Sequence, residues 1–111
     1  GLEAAGAVRA LGPATWIVER GTGLLARHLD PQSSTLLQSL VARTGVQICT
    51  SREAERIERI GDDLLVQFNT GECLRAQLVI FAVGIRPRDE LARDAGLRVA
   101  PRGGVEVDDQ L

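Results

Sequence analysis

The segment Gln77-Leu78-Val79-Ile80-Phe81-Ala82-Val83-Gly84 constrains the fold more than any other. Six successive apolar residues, Leu78 to Val83, leave no polar face. The run is too short for an ordinary buried helix and is rich in β-branched and aromatic side chains, so it reads as a strand. A strand apolar on both faces needs cover on both, which is the condition of a parallel sheet sandwiched by helices. The expectation is an α/β fold with residues 77–84 as a central strand.

The chain upstream fits that frame. Residues 1–11 carry apolar side chains at 2, 5, 8 and 11 among many alanines, predicting a small-faced helix suited to packing on a sheet. Gly12-Pro13 stops it, and Ala14 to Glu19 reads as a buried parallel strand with Trp16 in the core. Asp30-Pro31 opens a second helix, with Asp30 as N-cap and Leu36, Leu37, Leu40 and Val41 as its buried stripe. Gly45 ends it and Val46 to Thr50 forms a short strand. Helix, strand, helix, strand is βαβ alternation entered one strand late.

The period then changes. Ala54–Ile60, Leu64–Asn69 and Cys73–Ala76 are short strands joined by turn-like Gly61-Asp62-Asp63 and Asn69-Thr70-Gly71-Glu72, so residues 52–76 read as an antiparallel β-meander insert. After the central strand, Asp89 to Ala95 is a short helix closed by Gly96, and Val105 to Asp108 alternates like a last strand.

Composition narrows the chemistry. All 13 basic residues of the 111 are arginine, which excludes a P-loop lysine, a Schiff-base lysine and an ammonium base. The net charge is -2 and arginines alternate with acids, so no positive face exists for nucleic acid. The Arg52, Arg56, Arg59 group, mixed with glutamates, reads as a solvated face or an interdomain contact. No apolar run approaches the roughly 20 residues that cross a bilayer, and no leader is visible, so no membrane contact and a cytoplasmic location are expected. Cys49 and Cys73 read as separate, partly buried thiols, His28 as a surface residue, and no metal site is expected. The chain starts Gly1-Leu2-Glu3-Ala4-Ala5 without methionine, which reads as the inside of a longer protein.

Three places could carry function. Gly1, opening the first helix, could be the last glycine of a GxGxxG dinucleotide fingerprint; it also fits an arbitrary boundary. Glu19 ends a buried strand 18 residues later, where the acid of a Rossmann unit accepts the adenosine ribose hydroxyls; it also fits a solvated strand end. A carboxylate there repels a 2′-phosphate and favours NADH over NADPH, while Arg20 beside it could blur the preference. Val83-Gly84, at the carboxyl end of the central strand, lies where open α/β sheets bind ligands, with Gly84 letting a cofactor approach the backbone; it also fits a simple strand-to-turn glycine.

Taken in order, Gly1-Leu2-Glu3-Ala4-Ala5, Ile17-Val18-Glu19, Leu25-Ala26-Arg27-His28-Leu29-Asp30 and Ala82-Val83-Gly84-Ile85-Arg86-Pro87 resemble the NAD(P)H-binding insert of the pyridine nucleotide–disulfide oxidoreductase family. The last of these is similar to that family's A-x-G-x-R-P-N turn, with Arg88 in place of the asparagine. The sequel Glu90 to Leu97 and Arg102 to Asp109 is similar to the nitrite reductase large-subunit branch, whose members carry sirohaem and an iron–sulfur cluster in further domains.

The resemblance spans the whole chain and implies a single NAD(P)H-binding domain over 1–111, with a Rossmann-like sheet that lacks its first strand. It implies that Gly1 packs at the pyrophosphate, Glu3 points toward the flavin side, Glu19 and Arg20 meet the adenosine ribose, and Val83 and Gly84 lie near the nicotinamide. It implies FAD bound mainly by another domain of the parent chain, and no catalytic acid, base or nucleophile here, since hydride transfer is the cofactors' own chemistry. The isolated chain is expected to be inactive and to bind NADH weakly or not at all. The strands at 14–19 and 77–83 would flank the missing strand, so a homodimer, a strand swap or direct pairing of these two is expected. The alternatives are the same domain of a ferredoxin, rubredoxin or other NADH–flavin reductase, or a non-catalytic α/β interaction or regulatory module.

Overall fold

The computed structural model describes residues 1–110 and divides the chain into two compact units, Gly1–Phe81 and the residues from Ala82 onward. The first unit holds a parallel two-stranded sheet and an antiparallel three-stranded sheet.

Helix α1, Leu2–Ala10, is alanine-rich and places Glu3 in its first turn and Arg9 in its last, matching the helix dipole. Its small face lets Ala5 be buried, and it packs on both parallel strands. Gly12, at φ +107°, turns the chain sharply into β1, Thr15–Val18. Helix α2, Pro31–Arg43, starts as expected: the Asp30 carboxylate accepts hydrogen bonds from the Gln32 and Ser33 amides at 2.9 and 3.0 Å, with Pro31 first in the helix. Gly45, at φ +86°, follows its last turn, and β2, Val46–Cys49, runs parallel to β1 with Thr15 opposite Val46 and Val18 opposite Cys49.

The buried face of α2 is not the expected one. Leu36 and Leu40 are 62% and 50% exposed, whereas Ser34 is buried and Leu37 and Val41 are half-buried. The Ser34 hydroxyl donates to the Leu24 carbonyl at 2.8 Å, so the face of α2 at Ser34, Leu37 and Val41 is the one turned inward, against the buried Gly23-Leu24 loop at Ser34. Trp16, expected in the core, is half-buried.

The meander forms as expected, with β3 at Ala54–Ile60, β4 at Asp63–Phe68 and β5 at Cys73–Ala76 in the order β3-β4-β5. Gly61, at φ +63°, is the first of two residues joining Ile60 to Asp63, where a type II′ turn requires glycine. Ile57, Val66 and Leu74 lie opposite one another on one face, and Val66 and Phe68 are 6% exposed. Cys49 is half-buried, but Cys73 is exposed: it lies opposite Gln67, on the other face of the meander from Val66 and Leu74.

The main departure concerns residues 77–84. They are extended but join no ladder among the described residues. Leu78, Ile80, Phe81 and Val83 are 67%, 53%, 71% and 89% exposed. The apolar pattern specifies a buried strand, yet a strand is held by hydrogen bonds to a neighbour, and β1 pairs along one edge with β2 and along its other edge with no strand among the described residues. Direct pairing of β1 with 77–83 therefore does not occur among the described residues.

In the second unit, α3 runs from Glu90 to Asp94. The expected last strand at 105–108 is reduced to one antiparallel bridge, Val99 to Val105, within a tight hairpin whose Ala100 amide donates to the Gly104 carbonyl at 2.9 Å.

Candidate functional site

The carboxyl end of the β1–β2 pair is a loop cluster tied by backbone hydrogen bonds. Strand β1 ends at Val18, and the Glu19 amide still donates to the Cys49 carbonyl at 2.9 Å. From the other side, the Arg52 amide donates to the Glu19 carbonyl at 3.1 Å and the Ser51 amide to the Gly21 carbonyl at 2.8 Å. Ser51 adopts φ +52°, uncommon for a side-chain-bearing residue, and this aims its amide back across the loop. Residues 19–21 are thus strapped to the end of β2.

Within that strap the Glu19 carboxylate is fixed. Its Oε1 accepts a hydrogen bond from the Gly21 amide at 2.7 Å, and a Cβ at Gly21 would lie 3.1 Å from the same oxygen. Glu19 is half-buried; Arg20, at the tip, is exposed and pairs with no carboxylate among the described residues. The structure therefore brings Glu19 and Arg20 together at the carboxyl end of a parallel strand, where open α/β sheets take ligands.

Helix α1 reaches the same end. It enters β1 through the short Leu11–Ala14 turn and packs back along it, so the two run in opposite directions. Nine helical residues span about 13.5 Å and four strand residues about 13 Å, so the lengths match. Gly1 and Glu3, both exposed at the N-terminus of α1, thus belong to the end of the sheet that carries Glu19. Amides of a helix's first turn lack intrahelical acceptors and suit an anion.

Val83 and Gly84 lie in the second unit. Gly84 has φ +97° and open space where a Cβ would stand, so backbone conformation rather than crowding requires glycine. Just beyond, Asp89 ties the unit together: its carboxylate accepts from the Arg93 guanidinium at 3.0 and 3.2 Å and from the Gly104 amide at 3.0 Å. These bonds, the arginine's foremost, hold the Asp89 carboxyl below the usual carboxylate range. Gly103 stands at φ +85°, which favours glycine, and a Cβ there would also lie 3.0 Å from the Asp89 carboxylate and 3.3 Å from Pro87.

Nothing in the sequence points to Gly21 or Ser51, and Arg52 reads there only as a solvated face or an interdomain contact. Arg52 is not merely a solvated face: its guanidinium pairs with Glu72 at the β4–β5 turn, which also accepts from the Thr70 hydroxyl at 2.9 Å. Arg56, by contrast, pairs locally with Glu58 along β3. No local pattern announces a contact between residues 20 apart.

No group of three or more His, Cys, Asp or Glu that could hold a metal ion occurs among the described residues, and no helix there is long and apolar enough to cross a membrane.

A parallel strand–helix–strand unit with an acid fixed at the end of its first strand, followed by a β-meander, defines the chain as a mixed α/β segment with a site at the carboxyl end of its parallel strands. Comparison with known proteins makes this specific: the model of the pyridine nucleotide-disulphide oxidoreductase family matches residues 1–111, and the chain belongs to that family. It is similar to the nitrite reductase [NAD(P)H] large subunit of Klebsiella oxytoca, 39% identical over 110 residues that cover 99% of this chain and 12% of that protein. It is equally similar to the nitrite reductase (NADH) large subunit of Escherichia coli K12, 39% identical over 111 residues covering 98% and 13%. Among solved structures it resembles a ferredoxin reductase for the CYP199A2 system of Rhodopseudomonas palustris, with TM-score 0.88, 32% identity and coverage of 99% of this chain and 27% of that one. It also resembles a NAD-dependent persulfide reductase of A. fulgidus, with TM-score 0.89, 31% identity and coverage of 97% and 20%. The chain spans about an eighth of the length of these curated relatives.

Proposed function

We propose that this segment binds NAD(P)H, with NADH preferred, and positions its nicotinamide for a flavin held by another domain of the same polypeptide. The observation that carries the reading is Glu19: a carboxylate at the carboxyl end of a parallel strand, oriented by the Gly21 amide at 2.7 Å. A carboxylate so placed accepts ribose hydroxyls and repels a 2′-phosphate. Glu19 would hold the adenosine ribose with Arg20 beside it, Gly1 and the α1 N-terminus would face the pyrophosphate, Glu3 would lie toward the flavin side, and Val83 and Gly84 would line the nicotinamide half.

The chemistry NADH supplies when bound is donation of a hydride to FAD. The chain's own contribution is binding and orientation; none of the six residues needs to accept or donate a proton. Likeness to two nitrite reductase large subunits supports a nitrite-reducing parent. Likeness to a ferredoxin reductase structure supports a second reading, the same role with a different electron acceptor. Sirohaem and an iron–sulfur cluster, if the parent uses them, are held elsewhere: a four-cysteine cluster does not fit a segment with only Cys49 and Cys73.

The test is Glu19→Ala in the complete flavoprotein. Loss of a charged hydrogen-bond partner, worth about 1.5–3 kcal/mol, should lower kcat/KM for NADH at least about tenfold while narrowing the advantage over NADPH. Unchanged kcat/KM for both nucleotides would refute the reading. Assaying nitrite against ferredoxin as acceptor separates the two parent reactions.

A further inference from the structure

We infer that the β-meander positions the nucleotide-binding acid, acting through Arg52. This rests on the reading of Glu19 as the ribose contact. Arg52 is held at both ends. Its amide donates to the Glu19 carbonyl at 3.1 Å, and its guanidinium pairs with Glu72 in the turn between β4 and β5. Glu72 is itself oriented by the Thr70 hydroxyl at 2.9 Å.

A second tie runs beside the first. The Asn69 side-chain oxygen accepts from the Glu53 amide at 3.1 Å, and the Asn69 amide donates to the Glu53 carbonyl at 2.9 Å. The 68–72 turn therefore grips residues 52 and 53, while residues 51 and 52 grip residues 19 and 21. Chain geometry alone does not require this. Residues 50–53 form a linker between two sheets, and a linker is free to flex unless something anchors it. An arginine bonded at the guanidinium and the amide transmits the anchorage from one sheet to the other.

Energetics sets the scale. The pair is partly exposed, with side-chain accessibilities of 31% and 58%, so it supplies at most the modest free energy of a surface ion pair. That is too little to decide whether the chain folds, but enough to bias the conformation of a three-residue strap. Arg52 and Glu72 are thus positioning residues: neither is assigned a contact with nucleotide.

The experiment uses Glu72→Gln, Arg52→Gln and the charge-swapped double variant R52E/E72R in the complete flavoprotein. Each single variant should raise KM for NADH about two- to fivefold, the span of one exposed ion pair, with kcat unchanged. Hydrogen exchange of peptides covering residues 19–24 should quicken in parallel. The swap should restore both slow exchange and KM, which a nonspecific structural defect would not do. Wild-type KM and exchange in both single variants, alongside a raised KM in Glu19→Ala, would overturn the inference while leaving the nucleotide reading intact. An unaltered KM in Glu19→Ala would remove both.

Discussion

The Ser34 hydroxyl donates to the carbonyl oxygen of Leu24 at 2.8 Å, and both residues are buried, at 4% and 3% exposure. A helix residue thereby closes the loop that follows β1, and the chain uses a serine where its leucines suggested the inner face. Ser34→Ala should leave the Leu24 carbonyl buried and unpaired, costing about 1–3 kcal/mol. Urea denaturation of the two proteins measures this; equal midpoints would show that water or another donor replaces the hydroxyl.

Gly23 lies against that same hydroxyl, and an added Cβ would collide with the Ser34 Oγ. Gly23→Ala alone should therefore destabilise by about 1–3 kcal/mol, the usual cost of overpacking. Gly23→Ala combined with Ser34→Ala should cost less than the sum of the two singles, because the clash and the lost bond involve one atom. Additive costs in a double-mutant cycle would contradict the contact.

Gly45 occupies φ +86°, and a Cβ there would stand 2.8–2.9 Å from the Arg9 guanidinium. Gly45→Ala meets both backbone strain and a charged side chain, and should destabilise by more than about 1 kcal/mol. Adding Arg9→Ala should relieve the contact but not the strain. Thermal melts of the single and double variants separate the two contributions.

Asp89 sets an acid limit on the second unit. Its carboxyl is held below the ordinary aspartate value, first by hydrogen bonds from Arg93 and next by the Gly104 amide. A depressed folded value means that the carboxylate's stabilisation is fully present above the unfolded value, near 3.8, and is lost as pH falls through the lower, folded one. Exchange of the Gly104 amide should stay slow relative to an unprotected amide down to about pH 4 and lose protection below it. Asp89→Asn should show reduced protection already at neutral pH and no such acid step.

The exposed row of Leu78, Ile80, Phe81, Val83 and Ile85 predicts self-association of the 111-residue chain on its own, since adjacent large apolar side chains favour an apolar contact. Light scattering should give a mass that rises with concentration, and Ile80→Lys with Val83→Lys should reduce it. A concentration-independent monomer would show that the row is tolerated in water.

Several features were legible from residues alone because their causes are local. Asp30-Pro31 starts a helix through a carboxylate and amides two and three residues on. Gly61 and the alternation around it give the β3–β4 hairpin through one turn and period-two patterning. Glu19 was legible as a strand-end acid by its place after Thr15–Val18, and the resemblance gave that place a meaning.

What the residues could not show depends on partners distant in the chain. Arg52 looks like any arginine among glutamates until the meander folds and brings Glu72 beside it. The leucines of α2 predict a buried stripe, but the face bearing Ser34, bonded to the Leu24 carbonyl, lies inward and Leu36 and Leu40 lie outward. Local sequence thus determined where the helices, the parallel pair and the meander begin and end, because caps, turns and periodicity act over a few residues. Tertiary structure alone decided whether the run at Leu78–Val83 becomes a strand. An apolar side chain can state a preference for burial by itself, but a strand exists only where a neighbour shares its hydrogen bonds, and among the described residues none lies in a ladder with 77–84.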